Sequence, residues 1–258
     1  MKLSVVIPAR NEEGSVAETV SALLRTLHAA DIPCEVVVVD DGSTDKTALM
    51  VRALSEPYSE IRLVQNTGRQ GFGMAVRCGL HEATGDAVAI VMADGSDSPE
   101  DVVKCYRRLL EGSDCVLGSR FVRGSKVIDY PPHKLILNRL ANWSIRMLFG
   151  VPFNDFTNAF KLYRREVLQG MQPLISPHFN LTVEMPLKAI TRGYSFAVVP
   201  ISWRNRQTGI SKLKIKEMGS RYLFIVLYLW LEKHLAQGDY HRRHNAEQQQ
   251  VGLNTLHV

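Results

Sequence analysis

Five short apolar runs in the first half of the chain constrain its fold more than any other feature: Val5–Ile7, Val36–Val39, Ile61–Val64, Ala87–Met92 and Cys115–Gly118. They are rich in valine and isoleucine and continuously apolar, the pattern of strands buried on both faces of a parallel sheet. Between them, residues 14–30, 45–55, 71–83 and 99–111 read as helices. Pro99 and Glu100 make a good helix start, because proline is tolerated in the first turn and an acid there complements the helix dipole. Repetition of strand and helix predicts an α/β fold, a doubly wound and mostly parallel sheet with helices on both faces. Such sheets bind ligands at the carboxyl ends of their strands. The segments that follow each run are therefore where chemistry belongs.

After Gly118 the pattern changes. Residues 119–133 read as a polar loop with glycine and proline. Residues 134–149 read as a helix, with Leu135, Ile136, Leu140, Trp143 and Met147 among basic Lys134, Arg139 and Arg146. A strand is expected at 159–163, a helix at 179–191, a strand at 195–201 and a long helix at 213–235. From 237 on the chain is polar and glutamine-rich, and reads as a disordered tail. These boundaries give a catalytic domain over 1–212, an amphipathic helix over 213–236 and a tail over 237–258.

The net charge of +5 and pI near 9.0 suit anionic partners such as nucleotide phosphates, lipid phosphates or anionic headgroups. No Lys/Arg-rich block or recognition motif points to nucleic acid. Cys34, Cys78, Cys105 and Cys115 show no paired spacing and read as reduced thiols rather than a zinc site. The N-terminal apolar run is too short for a signal peptide. The longest apolar run, Tyr222–Leu231, falls short of the ~20 residues that span a bilayer core. The chain is expected to lie on a membrane rather than cross it.

Five motifs sit at strand ends. After the first strand come Pro8, Ala9, Arg10, Asn11, Glu12 and Glu13. Asn11 and Glu12 suit a base or ribose, or equally a helix-capping turn. After the second come Asp40, Asp41, Gly42, Ser43 and Thr44, where one acid, Asp41 by preference, would accept from a ribose hydroxyl or base. Asp45 reads as a helix cap. The third motif, Asn66 to Ala75, holds three glycines at a strand-to-helix turn, which allow close backbone approach. It follows the third strand, not the first, so it is not a dinucleotide fingerprint. In the fourth, Met92 to Glu100, a carboxylate suits a divalent metal bridging a nucleotide diphosphate, and Asp97 reads equally as the cap of the helix near Pro99. The fifth, Trp203 to Leu213, combines cations with glycine and serine. Arg206 and Lys212 would close over a diphosphate, or the segment is a solvated basic loop.

In this order the motifs resemble glycosyltransferase family 2, with its GT-A fold, and most closely its dolichol-phosphate mannose synthase-like group, over residues 3–235. The resemblance implies that Pro8, Arg10, Glu12, Val39 and Asp41 line a nucleotide pocket. Ala93 and Asp94 would stand at the diphosphate, with Asp94 a ligand to Mg²⁺ or Mn²⁺. Arg120, in Gly118-Ser119-Arg120, would meet phosphate, Lys134 and Asn138 the acceptor phosphate, and Arg206 and Lys212 a closing loop. The family usually has Asp-Ala-Asp where this chain has Met92-Ala93-Asp94, and a thioether is a poor ligand for a hard cation. The metal then falls to Asp94 with phosphates and water, or with Asp97 or Glu184 assisting. The family's arginine at the acceptor is Lys134 here, which lacks the bidentate fork.

The resemblance implies inverting transfer of a hexose from GDP-mannose or a UDP-sugar to a polyprenyl phosphate, by an enzyme peripheral on the cytosolic membrane face. A phosphate monoester is largely ionised at neutral pH, so no general base is needed and catalysis is positioning plus electrostatics. The basic residues before Tyr222–Leu231 suit an interfacial helix, or a buried helix or dimer contact. Two other readings stay open: transfer to a glycan or small-molecule hydroxyl, and a non-catalytic nucleotide-sugar-binding subunit.

Overall fold

The computed structural model describes residues 1–205 and 215–242, with backbone alone over 215–218. The sheet is built from β1 (Leu3–Ala9), β2 (Cys34–Asp40), β3 (Ile61–Gln65), β4 (Ala87–Ile90), β5 (Cys115–Ser119), β7 (Lys161–Arg164) and β8 (Phe196–Pro200). Its strand order is β3-β2-β1-β4-β7-β5-β8. β7 pairs antiparallel with β4 and β5, and the other pairings are parallel. This is the doubly wound, mostly parallel architecture expected. All seven residues of β1 are buried, which is why its sequence is apolar throughout instead of alternating.

On one face of the sheet pack α1 (Val16–Ala29), α2 (Thr47–Ser55) and α4 (Pro99–Leu110). On the other pack α3 (Phe72–Glu82), α5 (Pro132–Phe149), α6 (Arg165–Gly170), α7 (Leu181–Thr191) and α8 (Ile215–Leu235). The helix starting at Pro99 is present, with two acids in its first turn.

Sequence and structure differ in four places. The fourth strand ends at Ile90 rather than Met92, because the chain turns there so that the Met92 amide meets Asp97. The segment 119–133 is not all loop. It carries β6 (Lys126–Ile128), which pairs with β9 (Ser202–Arg204) in a two-stranded sheet too short to show periodicity. The six residues of α6 were likewise not anticipated. Finally, residues 237–242, read as the start of the polar tail, pack back on the domain: Arg242 pairs with Asp114, and its amide donates to the Arg192 carbonyl. Residues 243–258 lie outside the described residues.

One buried acid, Glu35 on β2, ties its strand to β1 and to the loop before β4. It accepts from the Ser4 hydroxyl (2.5 Å) and from the Thr84 amide and hydroxyl (2.6 and 2.9 Å). Burial pushes its carboxyl up, but these hydrogen bonds and Lys2 outweigh burial and bring it down to about 2. The carboxylate therefore stabilises the fold above its unfolded range near 4.5, and that stability is lost as pH falls toward 2. Glu35→Gln should cost about 2 kcal/mol at pH 7, the worth of hydrogen bonds to a charged group. Chemical denaturation should show this gap closing as pH falls below 4.5. A gap independent of pH would refute the account.

Candidate functional site

The β1 end brings Pro8 beside Val39 of β2 in register. Beyond it, Asn11 takes a left-handed backbone (φ 51°). Its amide oxygen accepts from the Thr44 amide (2.7 Å), and its own amide donates to the Ser43 hydroxyl (3.0 Å). The Glu12 amide donates to the Thr47 hydroxyl (2.8 Å). Asn11 therefore fastens the first two strand-end loops together rather than offering its side chain to a base. Arg10 is exposed and Glu12 half-buried, both on the mouth of the crevice.

At the β2 end the two acids have separate tasks. Asp40 accepts from the Ser43 amide (3.0 Å) and shapes its own turn. Asp41 is buried and accepts from the Asn66 amide group (2.6 Å) and the Gly71 amide (2.8 Å). The presumed nucleotide-pocket acid thus also holds the glycine turn. Asp45, expected as the cap of α2, stands one residue before its N-cap, Lys46, and accepts from the Thr47 amide that opens the helix (3.0 Å). The turn needs its glycines because the chain passes the Ser176 and Pro177 carbonyls so closely that a Cβ at Gly71 or Gly73 would collide with them.

The loop after β4 holds Ala93 and Asp94. The Thr19 hydroxyl donates to the Ala93 carbonyl (3.2 Å), and Asp94 accepts from the Ser96 amide (3.1 Å). Asp97 does not cap α4, whose N-cap is Ser98. It turns back under the loop, accepting from the Met92 amide (3.0 Å) through Oδ2, and is only 7% exposed. Its Oδ1 is buried and has no hydrogen-bond partner among the described residues. Burial pushes this carboxyl up to about 7, with Asp94 adding to the effect. β9 is stitched to the same loop: the Arg204 amide donates to the Ser96 carbonyl (3.0 Å) and Trp203 bridges to Asp97. The chain leading into residues 206–214 therefore departs from beside Asp94 and Asp97. Arg206 and Lys212 themselves lie outside the described residues.

Arg120, after β5, is buried and paired with Asp155. Its Nε and Nη2 donate to the two carboxylate oxygens (2.9 and 2.7 Å), and its backbone amide adds a third bond (2.8 Å). The rings of Phe121, Tyr130 and Trp203 lie 5.1, 5.7 and 5.6 Å from the guanidinium carbon. Burial disfavours its charge, yet Asp155 holds it more strongly protonated than an ordinary arginine. These bonds use Nε and Nη2. Lys161 sits fully buried in the same neighbourhood, donating to the Phe156 carbonyl (3.2 Å) and to that of Asn158. Burial pushes its ammonium down to about 7, although Asp155 favours the charge.

Asn138 reaches this cluster through one intermediary. Its side-chain oxygen accepts from the Thr157 hydroxyl (3.1 Å), which accepts in turn from Arg120 (3.4 Å). Lys134 lies one turn earlier on the same face of α5 and has no ion-pair partner among the described residues. Glu184 does not assist a metal. It is fully buried and spent on the Ile175 and Ser176 amides and on Lys188 (2.8 Å each). Among the described residues no cluster of three metal-ligating side chains forms. Asp155, Thr157 and Tyr130 were missed by sequence reasoning. Asn154-Asp155-Phe156 matches no spacing motif, and only the fold brings it to Arg120.

Helices α5 and α8 flank this end of the molecule. Lys233 on α8 donates to the Phe149 carbonyl at the C-terminus of α5 (2.6 Å). Outward from them project Leu137, Leu140 and Trp143 of α5, and Leu223, Phe224 and Leu227 of α8, all exposed by 49% or more. Among the described residues no helix is long and apolar enough to cross a membrane.

The family model described as Glycosyl transferase family 2 matches residues 4–171. A polyprenol monophosphomannose synthase of Mycolicibacterium smegmatis is 32% identical over 216 residues, which is 81% of this chain and 80% of that protein. A dolichol-phosphate mannosyltransferase of Pyrococcus furiosus is 33% identical over 84% of this chain, which spans only 60% of that longer protein. Crystal structures of glucosyl-3-phosphoglycerate synthase from Mycobacterium tuberculosis superpose over 90% of this chain and 79% of theirs. One holds phosphoglyceric acid (TM-score 0.67, 22% identity). Another holds Mn²⁺, uridine diphosphate and glucosyl-3-phosphoglycerate (TM-score 0.66, 20% identity). At such identity these structures speak for the fold alone.

Proposed function

The chain belongs to glycosyltransferase family 2 and is a glycosyltransferase; on that premise we propose that it transfers a hexose, with inversion, from a nucleotide-sugar to a polyprenyl phosphate at a membrane surface. The names of the curated relatives favour mannose from GDP-mannose. One observation carries the lipid-phosphate acceptor: the Arg120 cluster connects through Thr157 to Asn138 on α5, whose outer face and that of α8 are apolar. A lipid phosphate presented between those helices would meet cations while its chain stays among Leu137, Leu140 and Leu227.

In this reading Pro8, Arg10, Glu12, Val39, Asp41 and Ala93 line the nucleotide pocket. The loop of Asp94 and Asp97 fits a divalent cation, Mg²⁺ or Mn²⁺, because it offers hard carboxylate oxygens and one of them, Asp97 Oδ1, is buried without a partner. When bound, the ion would neutralise the leaving diphosphate. Asp94 and Asp97 would hold it, which makes good the absent acid at Met92. Arg120 would orient the acceptor phosphate, its guanidinium fixed by Asp155. Lys134 and Asn138 would receive the same phosphate from α5. Arg206 and Lys212 would close over the donor diphosphate. The acceptor is already an anion, so these residues align and screen two charged groups rather than abstract a proton.

The test is purified protein with Mn²⁺ or Mg²⁺, a short polyprenyl phosphate, and labelled GDP-mannose, UDP-glucose and UDP-N-acetylglucosamine in parallel. Label should enter the organic phase from GDP-mannose. The second reading is transfer to a small-molecule hydroxyl, probed with a small phosphorylated hydroxy acid such as phosphoglyceric acid. Label that stays in water and appears only with such an acid would replace the first reading with the second.

A further inference from the structure

A concavity of 280 Å³ lies between the glycine turn after β3, the 175–180 segment before α7 and the first half of α8. We propose that it binds the headgroup of an anionic phospholipid that carries free hydroxyls, as phosphatidylglycerol does. The inference rests on the membrane-surface reading above and adds a site that neither donor nor acceptor uses.

Charge argues first. Arg69, Arg221 and His178 line the cavity, and among the described residues no carboxylate does. Guanidinium groups match phosphate oxygens in charge and in their forked geometry.

The second argument is independent of charge. Asn180 also lines the cavity and is only 3% exposed. Its amide nitrogen donates to the Ser176 hydroxyl (2.9 Å), while its amide oxygen is buried with no hydrogen-bond partner among the described residues. A buried acceptor left unmade is costly, and such atoms are rare in folded proteins. A phosphate cannot satisfy it, having no proton to give at neutral pH. A hydroxyl can. The ligand must therefore bring both an anion and a hydrogen-bond donor, and beside Arg69 and Arg221 a neutral hydroxyl suits better than an ammonium.

The third argument is the rim. Phe224 borders the cavity and is 61% exposed. Leu227 and Leu231 follow it along one exposed face of α8. Acyl chains leaving a headgroup held here would run along that face. The wall is also rigid: Glu184 fixes the Ile175 and Ser176 amides, and the Met74 amide donates to the Pro177 carbonyl (3.3 Å). The pocket is thus built before any ligand arrives.

The test compares flotation of the full chain with vesicles of phosphatidylcholine containing phosphatidylglycerol or phosphatidylserine at equal mole fraction. The two anionic lipids carry the same net charge, but only the first has a diol. Wild type should bind the phosphatidylglycerol vesicles about fivefold more tightly. Arg69→Gln, an exposed change, should remove that preference. Leu227→Glu should weaken binding to both vesicles alike. Equal binding of wild type to both vesicles, or an unchanged preference in Arg69→Gln, would overturn the site while leaving the membrane reading intact. Absence of binding to any anionic vesicle would sink the membrane reading instead. The pocket is then judged by titrating soluble dihexanoyl phosphatidylglycerol: saturable binding lost in Arg69→Gln supports it, and no saturable binding refutes it. Glycerol phosphate binding as well as the lipid would make the occupant a free phosphate and overturn the lipid assignment.

Discussion

Asp155→Ala will destabilise the protein by about 3–5 kcal/mol and abolish transfer, because it strands a buried guanidinium. Asp155 receives three hydrogen bonds from Arg120 alone, and both side chains are almost wholly buried. Removing one partner of such a pair costs far more than the pair contributes net, since the surviving charge keeps its desolvation penalty. Urea denaturation followed by circular dichroism measures the first effect, and turnover on the best donor the second. Arg120→Lys separates the two. It keeps a charge but not the fork, so it should fold while losing most activity. A loss of under ~1 kcal/mol in Asp155→Ala would mean that water reaches Arg120, and the buried-pair account would be wrong.

Asp94→Asn will lower kcat/KM by about 10²–10³ with little change in stability. That is the range for removing a single group that stabilises developing charge. Asparagine can still accept from the Ser96 amide as Asp94 does, so the loop should keep its shape. The distinguishing readout is calorimetry of nucleotide diphosphate binding with and without Mn²⁺. Wild type should bind more tightly with the ion, and the variant should not. Activity within about threefold of wild type, with Mn²⁺ dependence preserved, would remove Asp94 from the metal and leave Asp97 to carry it.

The donor half of the molecule was legible because its signals are local. Each valine-rich run predicted a strand, and each motif directly after a run fell at that strand's carboxyl end. Asp41 and Asp94 stand where that rule puts them. The third motif was readable as a site of close approach, although the partner of its glycines, the 175–180 segment, lies about a hundred residues away. The acceptor half was less legible. β6 and β9 are three residues each, too short for periodicity, and pair across the intervening chain. Asp97 stays open in the sequence between capping the helix near Pro99 and assisting a metal. The structure instead turns it under the loop, toward Met92. Glu184 stood open as a helper of the metal, whereas in the first turn of α7 two backbone amides and Lys188 occupy it.

Asp155 was invisible for a geometric reason. It precedes its strand, and the strand-end rule looks only at residues that follow one. β7 runs against its neighbours, so it begins at the edge of the sheet where β1, β2, β4 and β5 finish. The loop before β7 therefore arrives where the loops after the others depart. Changes in length or composition over residues 150–158 would act first on the ground around Arg120 and α5, and would reach the Asp94 loop by way of Trp203, whose ring lies near Arg120 and whose backbone bridges to Asp97. One backward strand thus gives the proposed acceptor side a loop of its own, which evolution, or an engineer, can alter while the turn that holds Asp41 stays as it is.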